Sequence, residues 1–183
     1  VVLCHPGAIG KMEDVNEEFV DIAQKPGAYL LHLDSMAGGH KTLQVTRALR
    51  EYLAMEWQRL NPGKATGEQT TGATTLLHFG KASLPHIRMS IPQQDNGCDC
   101  GLFLLSHMER FIKSMPAQLS AVEILSASRG DTPPPGSSLP VGFLRNDWFV
   151  TEEAALLRST ITLLILEQLR AAQTDPEVAK REG

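Results

Sequence analysis

Pro92-Gln93-Gln94-Asp95-Asn96-Gly97-Cys98-Asp99-Cys100-Gly101 runs straight into the apolar stretch Leu102 to Ile112, and that junction decides how the chain is read. Asp, Asn and Gly in close succession mark a turn, and the residues after it keep a helical period. Leu102, Leu105, Met108, Phe111, Ile112 and Met115 fall at steps of three and four, which predicts one buried helix face. Asp99 stands where a carboxylate can cap the first turn. Cys100 is then a first-turn residue, where unpaired backbone N–H groups and the positive end of the helix dipole favour the thiolate, the nucleophilic form of cysteine. Upstream in the loop, Gln94 carries an amide N–H₂ that can fold back and donate to the oxyanion formed when a thiolate attacks a carbonyl.

Taken without a family, these residues admit blander readings. A cysteine after a turn commonly packs as a small hydrophobe. A zinc pair at Cys98 and Cys100 is disfavoured, because zinc sites space their cysteines more widely and need two further ligands, and Cys4 is the only other thiol. No metal and no cofactor is expected. The pattern Gln93-Gln94-x-Asn96-Gly97-x-Asp99-Cys100-Gly101 followed by an apolar helix resembles the nucleophile motif of the Ulp/SENP proteases, cysteine peptidases that process SUMO and remove it from conjugates. The resemblance implies an α+β, papain-like fold with a central mixed sheet flanked by helices, Cys100 as nucleophile and Gln94 as oxyanion donor. Asp34-Ser35-Met36, followed by Gly38-Gly39 and His40, is similar to the family's Asp-Ser segment, which makes Asp34 the carboxylate that orients the catalytic imidazole. On its own residues Asp34 reads first as the cap of the following turn, ahead of the carboxylate that orients an imidazole. Trp148-Phe149 before Glu152-Glu153 resembles the close of several plant members.

At 183 residues, 20.0 kDa and 42% apolar, the chain suits one domain with a real core. The expected peptidase domain spans 1–172, with loop insertions near 61–82 and 116–140 and a charged tail over 173–183. A net charge of −4, with no clustered basic face, argues against nucleic acid as a partner. No apolar run reaches the ~20 residues that would cross a membrane. Three cysteines, two nearly adjacent, do not make a disulfide framework and point to a reducing compartment. SUMO or SUMO-conjugated proteins are the expected partners of a monomer. Nuclear residence is expected, with the cytoplasm as the alternative.

Elsewhere, Val1 to Cys4 reads as the end of a buried strand broken by Pro6-Gly7, Met12 to Lys25 as an acidic insertion holding a short helix, and Tyr29 to Leu33 as a second strand. Lys41 to Leu60 carries a helical stripe of Leu43, Val45, Leu49, Tyr52, Leu53, Glu56, Trp57 and Leu60. Ala65 to Ala82 has no period, and His86 to Ile91 alternates like a half-buried strand. Pro116 to Ala127 is weakly helical, and the Pro- and Ser-rich Ser128 to Pro140 predicts no packed element. A helix should start at Thr151 and run through Leu169.

The base is the missing part. In the resembling family it is the His of a His-Trp pair that opens the first strand. Val1 is not an initiating residue, so the base is expected just upstream of it. Of the six histidines, His32 shares a strand face with Asp34, but i and i+2 lie about 7 Å apart at a strand's rise. His40, after Gly38-Gly39, reads as a loop residue; His5, His78, His86 and His107 read as solvated or packed. Two other classes stay open: a non-catalytic SUMO-binding relative that kept the cysteine loop, and a same-triad protease or acyltransferase acting on another ubiquitin-like protein.

Overall fold

A computed structural model describes residues 1–9, 27–62, 79–117, 119–132 and 135–174. Three short strands make one sheet: β1 (Val2–Cys4), β2 (Tyr29–His32) and β3 (His86–Arg88). Their order is β1-β2-β3, with β1 antiparallel to β2 in the register Val2↔Leu31 and β2 parallel to β3 in the register Leu31↔Ile87. A central strand is covered on both faces, and all four β2 residues are buried accordingly. The alternation expected after His86 holds, with Ile87, Met89 and Ile91 buried and Arg88 and Ser90 exposed. Only its first three residues are strand; the Met89 N–H still donates to the His32 carbonyl at 3.1 Å. Helices and this mixed sheet make an α+β fold.

Among the described residues four α-helices accompany the sheet: α1 (Thr42–Leu60), α2 (Cys100–Ser114), α3 (Ala121–Arg129) and α4 (Thr151–Thr174). In α1 the inward side differs from the expected stripe. Thr46 and Arg50 are its buried residues, with Leu49 and Leu53 packed on Ala28, Leu30 and Leu84, whereas Leu43, Tyr52 and Leu60 are exposed. The polar atoms of the inward residues are satisfied: Thr46 donates to the Thr42 carbonyl at 2.9 Å, and Arg50 Nε to the Leu84 carbonyl at 2.8 Å. Burying them therefore leaves neither group without a hydrogen bond.

α3 realises the weak helical signal and ends on Gly130 at φ 77°, a left-handed position that a β-carbon would strain. Among the described residues after it, 130–140 form no helix or strand. They are nonetheless tied down: Glu123 accepts from the Ser138 N–H at 2.8 Å, and Arg145 donates to the Asp131 carbonyl at 2.7 Å. The helix expected within Met12 to Lys25, His78, and most of the loop expected over Ala65 to Ala82 lie outside the described residues. Among those described, no helix is long and apolar enough to cross a membrane.

The main core joins Tyr29, Leu31, Ile87, Met89 and Ile91 of the sheet region to Phe103 and Phe111 of α2 and to Phe143, Leu144, Trp148 and Phe149. The Trp-Phe pair closes over α2: Trp148 stacks on His107 with ring centres 5.8 Å apart, and Phe149 meets His107 at 5.2 Å and Phe103 at 5.9 Å. This settles which face of α2 is inside. Phe103, Ser106, His107 and Phe111 are buried, while Leu105, Met108, Ile112 and Met115 of the expected face are exposed. The period was helical as predicted, but the aromatic cover selects a face rotated from the apolar stripe.

Candidate active site

Parallel pairing puts the C-terminal ends of β2 and β3 side by side, so the turn after β2 and the loop after β3 meet. That contact is stitched by hydrogen bonds. The Gln94 N–H donates to the Ser35 carbonyl at 2.8 Å, Ser35 Oγ to Gln94 Oε1 at 2.7 Å, and Gln93 Nε2 to the carbonyls of Asp34 at 2.9 Å and Ile91 at 2.8 Å. Asp34 and the loop leading to Cys100 are thereby fixed to each other through backbone.

Cys100 opens α2 as the sequence predicts. It lines a cavity of about 630 Å³ together with His32, Asp34, Ser35 and His40 from β2 and its following turn. Leu104, Met108 and Ile112, the exposed stripe of α2, form part of the same wall with Val2 and Leu33. The expected cap is absent, since the Asp99 side chain makes no capping bond. Asn96 has taken the turn instead: its Oδ1 accepts from the N–H groups of Cys98 and Asp99, both at 3.0 Å, and from the Cys98 thiol at 3.3 Å. The carboxylate of Asp99 points to Asn96 Nδ2 at 2.8 Å and to the guanidinium of Arg158 on α4. The Asn96 amide first, and then Arg158, hold it below the usual carboxylate range.

Asp34 is bonded on one oxygen only. Oδ1 accepts from the Met36 N–H at 3.2 Å and faces His40 Nδ1 at 3.1 Å. Oδ2 is buried and has no hydrogen-bond partner among the described residues. His32, the same-face neighbour, turns elsewhere: its Nδ1 sits 3.0 Å from Thr42 Oγ1, and burial pushes it toward the neutral form against the pull of Asp34. His40, read from sequence as a loop residue, is the imidazole that Asp34 holds. The amide of Gln94 is partly committed, with Nε2 donating to the Asn96 carbonyl at 2.5 Å; a primary amide has a second N–H.

The three thiols differ sharply. Cys98 and Cys100 are exposed, whereas Cys4 is buried, and that burial, partly offset by a hydrogen bond with Tyr29, pushes its thiol up to about 11. Cys4 is a packing residue. Among the described residues no three His, Cys, Asp or Glu gather closely enough to hold a metal ion.

Residues 19–129, which include Asp34, Gln94 and Cys100, match the Ulp1 protease family, C-terminal catalytic domain. The chain belongs to the Ulp1 protease family. Among its relatives is the "Probable ubiquitin-like-specific protease 2B" of Arabidopsis thaliana, 32% identical over 169 residues that make up 92% of this chain and 15% of that protein. The Arabidopsis "Ubiquitin-like-specific protease 1C" is 28% identical over 156 residues, 85% of this chain and 24% of that one. The human "Sentrin-specific protease 7" is 31% identical over 84 residues, 46% of this chain and 7% of its own length. The chain thus spans less than a quarter of each of these Ulp1-family relatives. Two partners of the site escaped the sequence reading. The Asn96-Gly97 turn signal was visible without its acceptor role, and Arg158 shares a helix face with buried Ala154, a spacing of four that an apolar count passes over.

Proposed function

We propose that this chain is the catalytic part of a SUMO-specific, papain-like cysteine protease in which Cys100 attacks the carbonyl after the modifier's C-terminal Gly-Gly. The observation that carries the reading is Asp34: a buried carboxylate whose Oδ2 has no donor, in the wall of the cavity that Cys100 also lines. An unpaired buried acceptor costs about 1–3 kcal/mol, and more when charged, so its retention marks a place kept for an N–H. In the proposed reaction the thiolate adds to the carbonyl, and the second N–H of Gln94 and the free N–H groups of the first turn of α2 receive the oxyanion. An imidazolium oriented by Asp34 gives its proton to the leaving amine, and water then hydrolyses the thioester.

Two sources for that imidazole are in play. The antiparallel register Val2↔Leu31, if continued, carries any residues preceding Val1 alongside Leu33 to Ser35, so an upstream His would arrive near Asp34. The second source is His40, whose Nδ1 already faces Asp34 Oδ1 and whose Nε2 is left free of that contact. The full-length protein is treated with a SUMO probe bearing a C-terminal electrophile, and the adduct is mapped. The expected result is labelling on Cys100, abolished in Cys100→Ser and untouched in Cys98→Ser; labelling that survives Cys100→Ser overturns the assignment. His40→Ala decides the base: retained turnover assigns the upstream imidazole, and loss to the level of Cys100→Ser assigns His40. Gln94→Ala is expected to slow turnover by roughly ten- to a thousandfold.

A further inference from the structure

We propose that Arg158 of α4 is a positioning residue for the nucleophile, acting through Asp99. The proposal rests on Cys100 being the attacking group. Arg158 lies beyond the residues 19–129 that match the catalytic domain, on the helix packed against α2. Two ion pairs join α4 to α2, Arg110 with Glu153 and Arg158 with Asp99. The second ends on the residue immediately before Cys100.

The network around it is closed. Asp99 spends one carboxylate oxygen on Arg158 and the other on Asn96 Nδ2, while Asn96 Oδ1 gathers the N–H groups of Cys98 and Asp99. Every residue from Asn96 to Asp99 except Gly97 is thus held by a side-chain bond, and Gly97 has open space where a β-carbon would be. The consequence is geometric. Asp99, at φ −92° and ψ 6°, sets the direction in which the chain enters α2, and with it the aim of the Cys100 side chain into the cavity. A guanidinium meets a carboxylate with planar N–H donors in a fixed fork, so Arg158 holds Asp99 in one orientation where a lysine ammonium would offer a point charge. Because the arginine is largely exposed, the pair's worth to global stability is small. Its effect is expected in aim, where a displacement near 1 Å can cost on the order of a hundredfold in rate.

The test uses the full-length protein and cleavage of a SUMO precursor, with unfolding midpoints measured beside kcat and KM. Arg158→Ala is expected to lower kcat on the order of tenfold with KM unchanged, Arg158→Lys to recover part of it, and Glu153→Ala, which breaks the other α2–α4 pair, to leave kcat as it was. Alkylation of Cys100 by iodoacetamide in a Cys98→Ser background should slow in parallel with kcat. Equal losses in Arg158→Ala and Glu153→Ala, tracking the unfolding midpoint, overturn the proposal in favour of simple helix docking. Unchanged kcat in Arg158→Ala while Cys100→Ser is dead overturns it and leaves the protease reading standing. Full activity in Cys100→Ser overturns both.

Discussion

Asp34 shares a cavity with Cys100 and Asp99 precedes Cys100 in the chain, and the two aspartates are equally hidden, at 8% and 9% exposure. Their hydrogen bonding is opposite. Asp99 has a donor on each oxygen, one from its own loop and one from α4. Asp34 has its donors on Oδ1 and none on Oδ2. A carboxylate that is fully paired stabilises the loop it sits in; one left half-paired in a buried place lowers the stability of the fold and stays available for a group that arrives with function. Similar burial therefore says little about role, and the count of satisfied lone pairs says much.

The largest way to break this contrast is Asp34→Asn in the full-length protein. Turnover is expected to fall on the order of a thousand- to ten-thousandfold, as for other carboxylates that orient a catalytic imidazole, with an unfolding midpoint equal to or above the parent's. A lowered midpoint would show that Oδ2 is paired in solution and would end the distinction. Among the described residues the other buried side-chain atom without a partner gives a sharper control, because it lies in the aromatic cover and has no proposed chemistry. His107 Nε2 is unpaired, and burial pushes the ring down to about 4. A base depressed in the fold binds fewer protons there than in the unfolded chain. Its contribution is fully present above the unfolded value near 6.5 and is lost as pH falls through the interval to about 4. The share is about 3 kcal/mol, and His107→Phe should flatten that much of the pH dependence in urea unfolding between pH 7 and 4. His32 and His86 are shifted the same way and keep the remainder. The smallest effect is expected from Asp99→Asn, which keeps the contact with Asn96 and loses the charge facing Arg158. The unfolding midpoint should drop by no more than a few degrees, and a larger loss would make Asp99 a core residue rather than a loop tie.

Cys100 at the head of a helix and Asp34 just past the end of a strand were legible because both follow from local period and turn residues. What covers each element was not. The apolar stripe Leu105, Met108, Ile112 and Met115 was expected inside, yet Trp148 and Phe149 cover Phe103 and His107 instead. A period fixes how residues share a face; only the partner fixes which face is used, and here it comes from a distant loop. The same holds for Asp99, expected as a local cap and found bonded to Arg158, and for Ser35 with Gln94, where the partners lie far apart in sequence. His40 was discounted as a loop residue after two glycines. That flexible approach is compatible with its return to Asp34, a contact no spacing rule encodes.

The parallel ladder between β2 and β3 has a kinetic side. Before Leu30 can pair with His86, the intervening chain, including all of α1, must be looped out and its closure entropy met. α2 needs no such event; a helix of its length relaxes within about 0.1–1 μs, driven by neighbours along the chain. The helix that begins at Cys100 is built from contacts close along the chain, whereas Asp34 meets the Gln93-Gln94 loop only through the long-range pairing. Between those events the folding chain carries an exposed sulfur at a helix start, still apart from the carboxylate that shares its cavity in the finished fold.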